Sequence, residues 1–210
     1  MQKQIDYQEL ANADVSAGLS HTNVHDHLKQ NSVEVNRALT VDDRAPFGVC
    51  VLNITGELNV GTVVRTAHLT GASKVGIIGR KKYDSRGEVG SSKYFDVERI
   101  SGLNDDGLTI NPDVFWDWID TNRFSPIFVE QGGTLLKDVN WELRCRDMRM
   151  LSQRPCLVFG NENRGIQDDI LHDSRGTIVS LSQCGVIRSY NVASTAAIVM
   201  YHLTSYMGWF

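Results

Sequence analysis

Three polar loops in this 210-residue chain combine the side chains that could do chemistry. The first runs Asn53-Ile-Thr-Gly-Glu-Leu-Asn59-Val-Gly61-Thr-Val-Val-Arg65. Asn59 and Gly61 open a helix, and Arg65 lies about one and a half turns in, near the face that begins at Gly61. The second, Phe159-Gly160-Asn161-Glu162-Asn163-Arg164-Gly165-Ile166, brackets a carboxylate, two amides and a guanidinium between glycines. The third, Leu181-Ser-Gln-Cys-Gly185-Val-Ile-Arg188-Ser189-Tyr190-Asn191-Val192, leads straight into the last helix. Glycines permit close approach of backbone to a ligand, and the free amides of a helix start can hold anionic or hydrogen-bond-accepting groups. Each loop also has a plainer reading. Asn59, Ser189 or Asn191 could cap a helix, Arg65 could be a surface arginine, and Glu162 could pair weakly with Arg164 in a tight turn.

The elements that must position these loops follow from the apolar pattern. After Pro46 come short runs at Phe47–Leu52, Val75–Ile78, Ile127–Val129, Cys156–Phe159 and Thr177–Leu181. They are β-branched-rich and do not alternate, as expected of strands covered on both faces of a parallel sheet. Helical stretches fall between them. Asn59–Leu69 ends at Gly71, Asp113–Thr121 follows the cap and proline pair Asn111–Pro112, and a last helix runs over about 191–205. The alternation predicts an α/β fold, a mainly parallel sheet with helices on both faces. Ligands bind beyond the carboxyl ends of strands in such sheets, and the three loops fall there.

Residues 1–44 are polar and Asn/Asp/His-rich. They read as an N-terminal extension with one or two short helices, for instance around Val24 to Gln30, attached to a single cored unit at 45–210. His21, His25 and His27 near Asp26 have a chelating spacing, but no further ligand group follows, so no metal is expected.

A net charge of −4 argues against retention on nucleic acid by overall charge. Local positive charge is available from Arg80-Lys81-Lys82 with Arg86, and from Arg144, Arg146, Arg149 and Arg154. Trp116 and Trp118 could stack bases, although their neighbours Phe115 and Ile119 put at least one of them in the core. The longest mostly apolar stretch, Val192 to Leu203, is well short of a bilayer span, and no secretory h-region opens the sequence. Four cysteines without a CxxC pair suit a reducing cytoplasm. There is no GxxxxGK[ST], no GxGxxG after a strand and no GxSxG elbow, which disfavours a P-loop nucleotidase and a nucleotide-dependent oxidoreductase.

In this order the loops resemble the three signature motifs of the SpoU (TrmH-like) branch of the SPOUT RNA methyltransferases. The motifs correspond to Asn59…Arg65, to Gly160-Asn-Glu162-Asn-Arg-Gly165 and to Arg188-Ser189-Tyr190-Asn191-Val192. The resemblance covers about residues 46–207. Tyr190 and Ser182 depart from it, where the family commonly has Leu or Met and often has Pro. The resemblance implies a C-terminal deep trefoil knot that holds S-adenosylmethionine, and a homodimer formed through the last helix, where Ala193, Ala196, Ala197 and Met200 supply apolar contact. It also implies methyl transfer to a ribose 2′-hydroxyl of RNA. The positions matching the cofactor contacts are Val129, Glu130, Gly160, Leu181 and Ser189. Those matching the catalytic set are Arg65, Asn59, Glu162, Ser189 and Asn191.

A ribose hydroxyl must be aligned with the methyl group and must lose a proton. A guanidinium is very hard to deprotonate, with a pKa above ~12. The expected role of Arg65 is therefore to grip the RNA phosphate and lower the hydroxyl's pKa electrostatically. Asn59, Glu162 and Asn191 would orient Arg65 and substrate, with Ser189 at the cofactor or substrate edge. The Gln183…Gly185-Val-Ile-Arg-Ser run looks like the tRNA-acting members, which favours a tRNA guanosine. The alternatives are a ribosomal RNA ribose methyltransferase and a non-catalytic RNA-binding protein of the same fold.

Overall fold

The computed structural model describes residues 24–55, 58–162 and 164–209, so His21 and Asn163 lie outside the described residues. Six strands form one sheet: β1 (Ala45–Asn53), β2 (Ala72–Gly79), β3 (Asp96–Ser101), β4 (Phe124–Leu135), β5 (Arg154–Phe159) and β6 (Thr177–Ser180). Their order is β3-β2-β1-β5-β4-β6, and every pairing is parallel. The α-helices are α1 (Val33–Val41), α2 (Leu58–Leu69), α3 (Pro112–Thr121), α4 (Trp141–Met150), α5 (Asp168–Leu171) and α6 (Val192–Tyr206).

Successive side chains of a strand point to opposite faces, and β1 shows why its sequence is apolar throughout. Phe47, Val49 and Val51 join a core with Val63 of α2, Trp141 of α4 and Ala196 of α6. Cys50 and Leu52 join a second core with Phe115 of α3 and Ile170 of α5. Helices therefore cover both faces, and the α/β architecture is the one that the runs predict.

Three elements differ from the expectation. β3 is a charged edge strand, Asp96-Val-Glu-Arg-Ile-Ser101, whose charges mask its strand pattern and guard the open edge. Its Glu98 accepts from Lys74 Nζ and from Trp118 Nε1, each at 2.6 Å. β4 continues past Val129 to Leu135, with a register shift against β6 between Val129 and Thr134. α4 is polar enough to pass for a loop, because only Trp141, Cys145 and Met148 are buried; Asn140 starts it by accepting from Leu143 N at 3.0 Å.

These elements also absorb groups considered for RNA. Trp116 and Trp118 are both buried, so neither ring is free to stack a base. Arg144 donates to Thr177 Oγ1, Arg154 to the Asn122 carbonyl at 3.0 Å, and Arg86 is paired with Asp84.

In the extension, Asp26–Leu28 is a single 3-10 turn, and the α-helix lies further on, where Ser32 accepts from Val35 N at 3.3 Å. Asn31 Nδ2 donates to Asn36 Oδ1 and Asn36 Nδ2 to the Leu28 carbonyl, both at 3.0 Å, which ties the turn to α1. Among the described residues no helix is long and apolar enough to cross a membrane. No group of three or more His, Cys, Asp or Glu there could hold a metal ion.

Candidate active site

The three polar loops meet at the carboxyl ends of the strands, where one carboxylate joins them. Asn59, in the first turn of α2, donates from Nδ2 to Glu162 Oε2 at 2.6 Å. Asn191 Nδ2 donates to Glu162 Oε1 at 3.1 Å and to Asn59 Oδ1 at 3.2 Å. The amide of Asn191 is oriented from behind, because its Oδ1 caps α6 by accepting from Ala193 N at 2.9 Å and Ser194 N at 3.3 Å. Of the plainer readings, the Asn191 cap holds, and so does that of Arg65 as a surface arginine. Asn59 lies inside its helix, and Glu162 takes the two amides in place of Arg164.

A cavity of about 420 Å³ opens beside this cluster. Val129, Glu130, Gly160, Leu181 and Ser189, the five positions matched to cofactor contacts, all line it, and so does Glu162. Its floor is the Gly160–Gly165 loop, closed by paired backbone hydrogen bonds between Asn161 and Gly165 of 3.1 and 2.7 Å. A Cβ on Gly160 would stand 2.3 Å from the Gly165 carbonyl carbon and 2.6 Å from Ile166 N. Gly165 has φ +67°, and a Cβ there would stand 2.4 Å from Glu130 Oε2. That same Oε2 accepts from Ile166 N at 3.1 Å. The glycines are thus required by the loop's own closure, before any ligand is considered.

The third loop is held by contacts that carry no motif. Gln131 Nε2 donates to the Arg188 carbonyl at 2.7 Å, and Tyr190 Oη donates to the Ser182 carbonyl at 3.3 Å. The two positions that depart from the motif pattern therefore touch one another, through a backbone acceptor that any residue at 182 would supply. Asn161, buried, donates to Thr55 Oγ1 at 3.1 Å and ties the second loop to the first. Neither Gln131 nor Asn161 has a sequence signal beyond its place in a polar loop.

Arg65 stands apart. It is exposed on α2, does not line this cavity, and among the described residues has no hydrogen-bond or ion-pair partner. It lines a second cavity of about 430 Å³ between α2, α1 and residues 89–94. The last helix also differs from expectation. Ala193, Ala196 and Met200 are buried in the chain's own core and Ala197 is half-buried, so the first three are not part of the helix's outward surface. The outward face carries Ser194, Ile198, Tyr201 and Ser205, with Ile198 45% and Tyr201 63% exposed.

The sequence signature of the SpoU rRNA Methylase family matches residues 46–201. No curated protein sequence matches the chain. Among solved structures, the fold is similar to that of the SpoU methyltransferase AviRb from Streptomyces viridochromogenes in complex with AdoMet, at 20% identity and a TM-score of 0.57, covering 79% of this chain and 58% of that one. It is similar to the A. aeolicus TrmH/SpoU tRNA modifying enzyme at 18% identity and a TM-score of 0.61, covering 84% of each chain. An RNA 2′-O ribose methyltransferase matches at 18% identity and a TM-score of 0.56, over 77% of this chain and 57% of that one. The chain thus spans 58% and 57% of the lengths of the first and third of these relatives. With the signature running through all three loops and the strands that carry them, the chain belongs to the SpoU rRNA methylase family.

Proposed function

We propose that the chain is an S-adenosylmethionine-dependent RNA methyltransferase acting on a ribose 2′-hydroxyl. The observation that carries this reading is the Asn59–Glu162–Asn191 cluster at the rim of a cavity lined by all five positions matched to cofactor contacts. The residues fit the cofactor: the cavity is of small-ligand size, roughly 300–1,000 Å³ for such sites, and combines glycine backbone, apolar Val129 and Leu181, and the Glu130 carboxylate. S-adenosylmethionine, when bound, supplies an electrophilic methyl group. Gly160, Leu181 and Ser189 would hold it, largely through backbone, and Ser189 would edge the substrate.

The chain's own task is to align the hydroxyl and manage its proton. Asn59, Glu162 and Asn191 present a fixed polar edge to the ribose. Arg65 grips the adjacent phosphate and lowers the hydroxyl's pKa by its charge. Arg65 does not line this cavity, so in this reading a second copy of the chain supplies it in a homodimer, for which Ile198 and Tyr201 offer exposed apolar surface.

The position of β6 beyond β4, with α6 packed back on Thr70, just past the end of α2, through the Thr70 Oγ1–Met200 Sδ contact of 3.6 Å, supports a return of residues 181–191 through a deep trefoil knot. Residues 45–210 would form the methyltransferase unit and 1–44 an extension, in a cytoplasmic protein. A tRNA guanosine is the favoured target, on the Gln183…Ser189 run. The family's description favours ribosomal RNA as the second reading.

The test is incubation of the chain with tRNA or ribosomal RNA and labelled cofactor, followed by alkaline digestion. A 2′-O-methyl blocks attack on the neighbouring phosphate, so label is expected in an alkali-resistant dinucleotide. Complete cleavage at the labelled nucleotide would place the methyl on a base and overturn the ribose reading.

A further inference from the structure

Arg80-Lys81-Lys82 has no task in the active site. The three residues leave the end of β2 as a loop, and all three side chains are exposed. None of these side chains has a hydrogen-bond or ion-pair partner among the described residues. The acids that follow in the same segment are committed elsewhere. Asp84 accepts from Arg86 Nε at 2.9 Å, and the buried Glu88 accepts from Tyr83 Oη at 2.6 Å and Ser92 Oγ at 3.1 Å. Three adjacent cations therefore stay unpaired on a chain of net charge −4.

The backbone beneath them is pinned. Asn53, buried at the end of β1, donates from Nδ2 to the carbonyls of Arg80 at 2.6 Å and Lys82 at 3.2 Å, and its own carbonyl accepts from Arg80 N at 2.7 Å. A backbone already fixed lowers the ordering cost of gripping a ligand. Register places the loop beside the active site. Gly79, just before Arg80, pairs with Asn53, and β5, which leads into the Gly160–Gly165 loop, pairs with the other side of β1. Neighbouring strands lie about 4.8 Å apart, so the triplet leaves the sheet about 10 Å across from that loop, at the same carboxyl edge. The nearest ring, Tyr83, is taken by the Arg99 guanidinium, 4.9 Å from its centroid, which leaves charge and no stacking surface.

Adjacent unpaired cations without a free ring call for phosphates and not for bases. We propose that Arg80, Lys81 and Lys82 form a sequence-independent track for the sugar-phosphate backbone of the RNA beside its target nucleotide. The proposal rests on the RNA-methyltransferase reading and deepens it: an acidic chain holds its substrate through a local charge that lies outside the three motifs.

Free inorganic phosphate shares this chemistry, so the test carries both. The full chain is titrated with two fluorescein-labelled single-stranded RNAs of different sequence across salt concentrations, and at fixed ionic strength with inorganic phosphate as competitor. Wild type is compared with the double variant Lys81→Ala/Lys82→Ala and with Arg149→Ala. The latter removes an exposed, unpaired cation near the end of α4, which leads to the amino end of β5. S-adenosylmethionine affinity is measured by calorimetry. The double variant should reduce the slope of log K against log salt by about 1.4 for both RNAs, two single-strand phosphate contacts of about 0.7 each. Arg149→Ala should leave the slope unchanged, phosphate should not displace the RNA, and cofactor affinity should stay that of the wild type in both variants. An unchanged slope in the double variant, whose exposed side chains can be removed without touching the core, overturns the proposal. An equal loss per charge in Arg149→Ala overturns it in favour of overall charge, and displacement of RNA by phosphate in favour of a free-anion site. A slope loss confined to one RNA overturns the sequence independence. A wild type that binds RNA but no cofactor would instead strike the methyltransferase reading and leave the RNA titration interpretable.

Discussion

Asn59 and Glu162, 103 residues apart in sequence, are joined by a 2.6 Å hydrogen bond from amide to carboxylate. The other carboxylate oxygen accepts from Asn191, so an acceptor-only group sits between two donors. Glu162→Gln would set a third NH₂ group among them and leave one donor without its acceptor. Methyl transfer should fall about 10- to 100-fold, the equivalent of one to two lost polar contacts. Because Glu162 itself is exposed, the melting temperature should hardly move. Single-turnover rates beside a thermal melt decide this, and an unchanged rate removes the cluster from the reaction.

Gly160 has no room for even a methyl group, and what fills the space is the backbone of Gly165 and Ile166. Gly160→Ala should force the second loop open and abolish measurable S-adenosylmethionine binding in a protein that still folds. Calorimetry on the variant, with circular dichroism as the control for folding, makes the check. Wild-type affinity would put the cofactor site elsewhere.

Arg65 acts on RNA and not on the cofactor in the reading above. Arg65→Ala should therefore keep cofactor affinity yet lose ~100- to 10,000-fold in rate, as expected when a group that stabilises developing charge is removed. Arg65→Lys should recover little, since an ammonium lacks the planar fork of the guanidinium. Full activity in either variant would exclude the assigned role.

Ile198 and Tyr201 form the exposed apolar part of the last helix. Light scattering of the wild type should give twice the 23.5 kDa chain mass, and Ile198→Glu should give the chain mass itself. A wild-type mass near 23.5 kDa at all concentrations would rule the homodimer out.

His68 makes stability depend on pH. Its folded pKa is depressed from 6.5 to about 4, by burial first and then by the charge of Arg44. Above about pH 6.5 the ring is neutral in both folded and unfolded chains, and it adds no slope. Between about pH 6.5 and 4 the unfolded chain binds a proton that the folded chain refuses, so stability falls as pH falls, and the effect levels off below 4. The loss is on the order of 1–3 kcal/mol. Urea denaturation at pH 7.5 and 4.5 should show it, and His68→Phe should flatten the difference. An equal slope in the variant would assign the acid sensitivity to other groups.

Sequence alone determined the architecture and the place of the candidate site. Runs such as Val-Cys-Val-Leu at 49–52 are apolar throughout because a central parallel strand is buried on both faces, a local demand legible without coordinates. The glycine-bracketed Gly160–Gly165 loop and the Asn191 cap are local too, since turn and cap chemistry lie within a few residues. β3 and α4 escaped because an edge strand and a half-exposed helix are free to be charged, and charge hides their period. Tertiary structure decided what the motif residues face. That Asn59 and Asn191 share the Glu162 carboxylate, while Arg65, in the same helix as Asn59, turns toward α1 and residues 89–94, depends on how α2 is seated on the sheet. Six residues along a helix rotate a side chain by well over a quarter turn, and only packing says which neighbour lies in each direction.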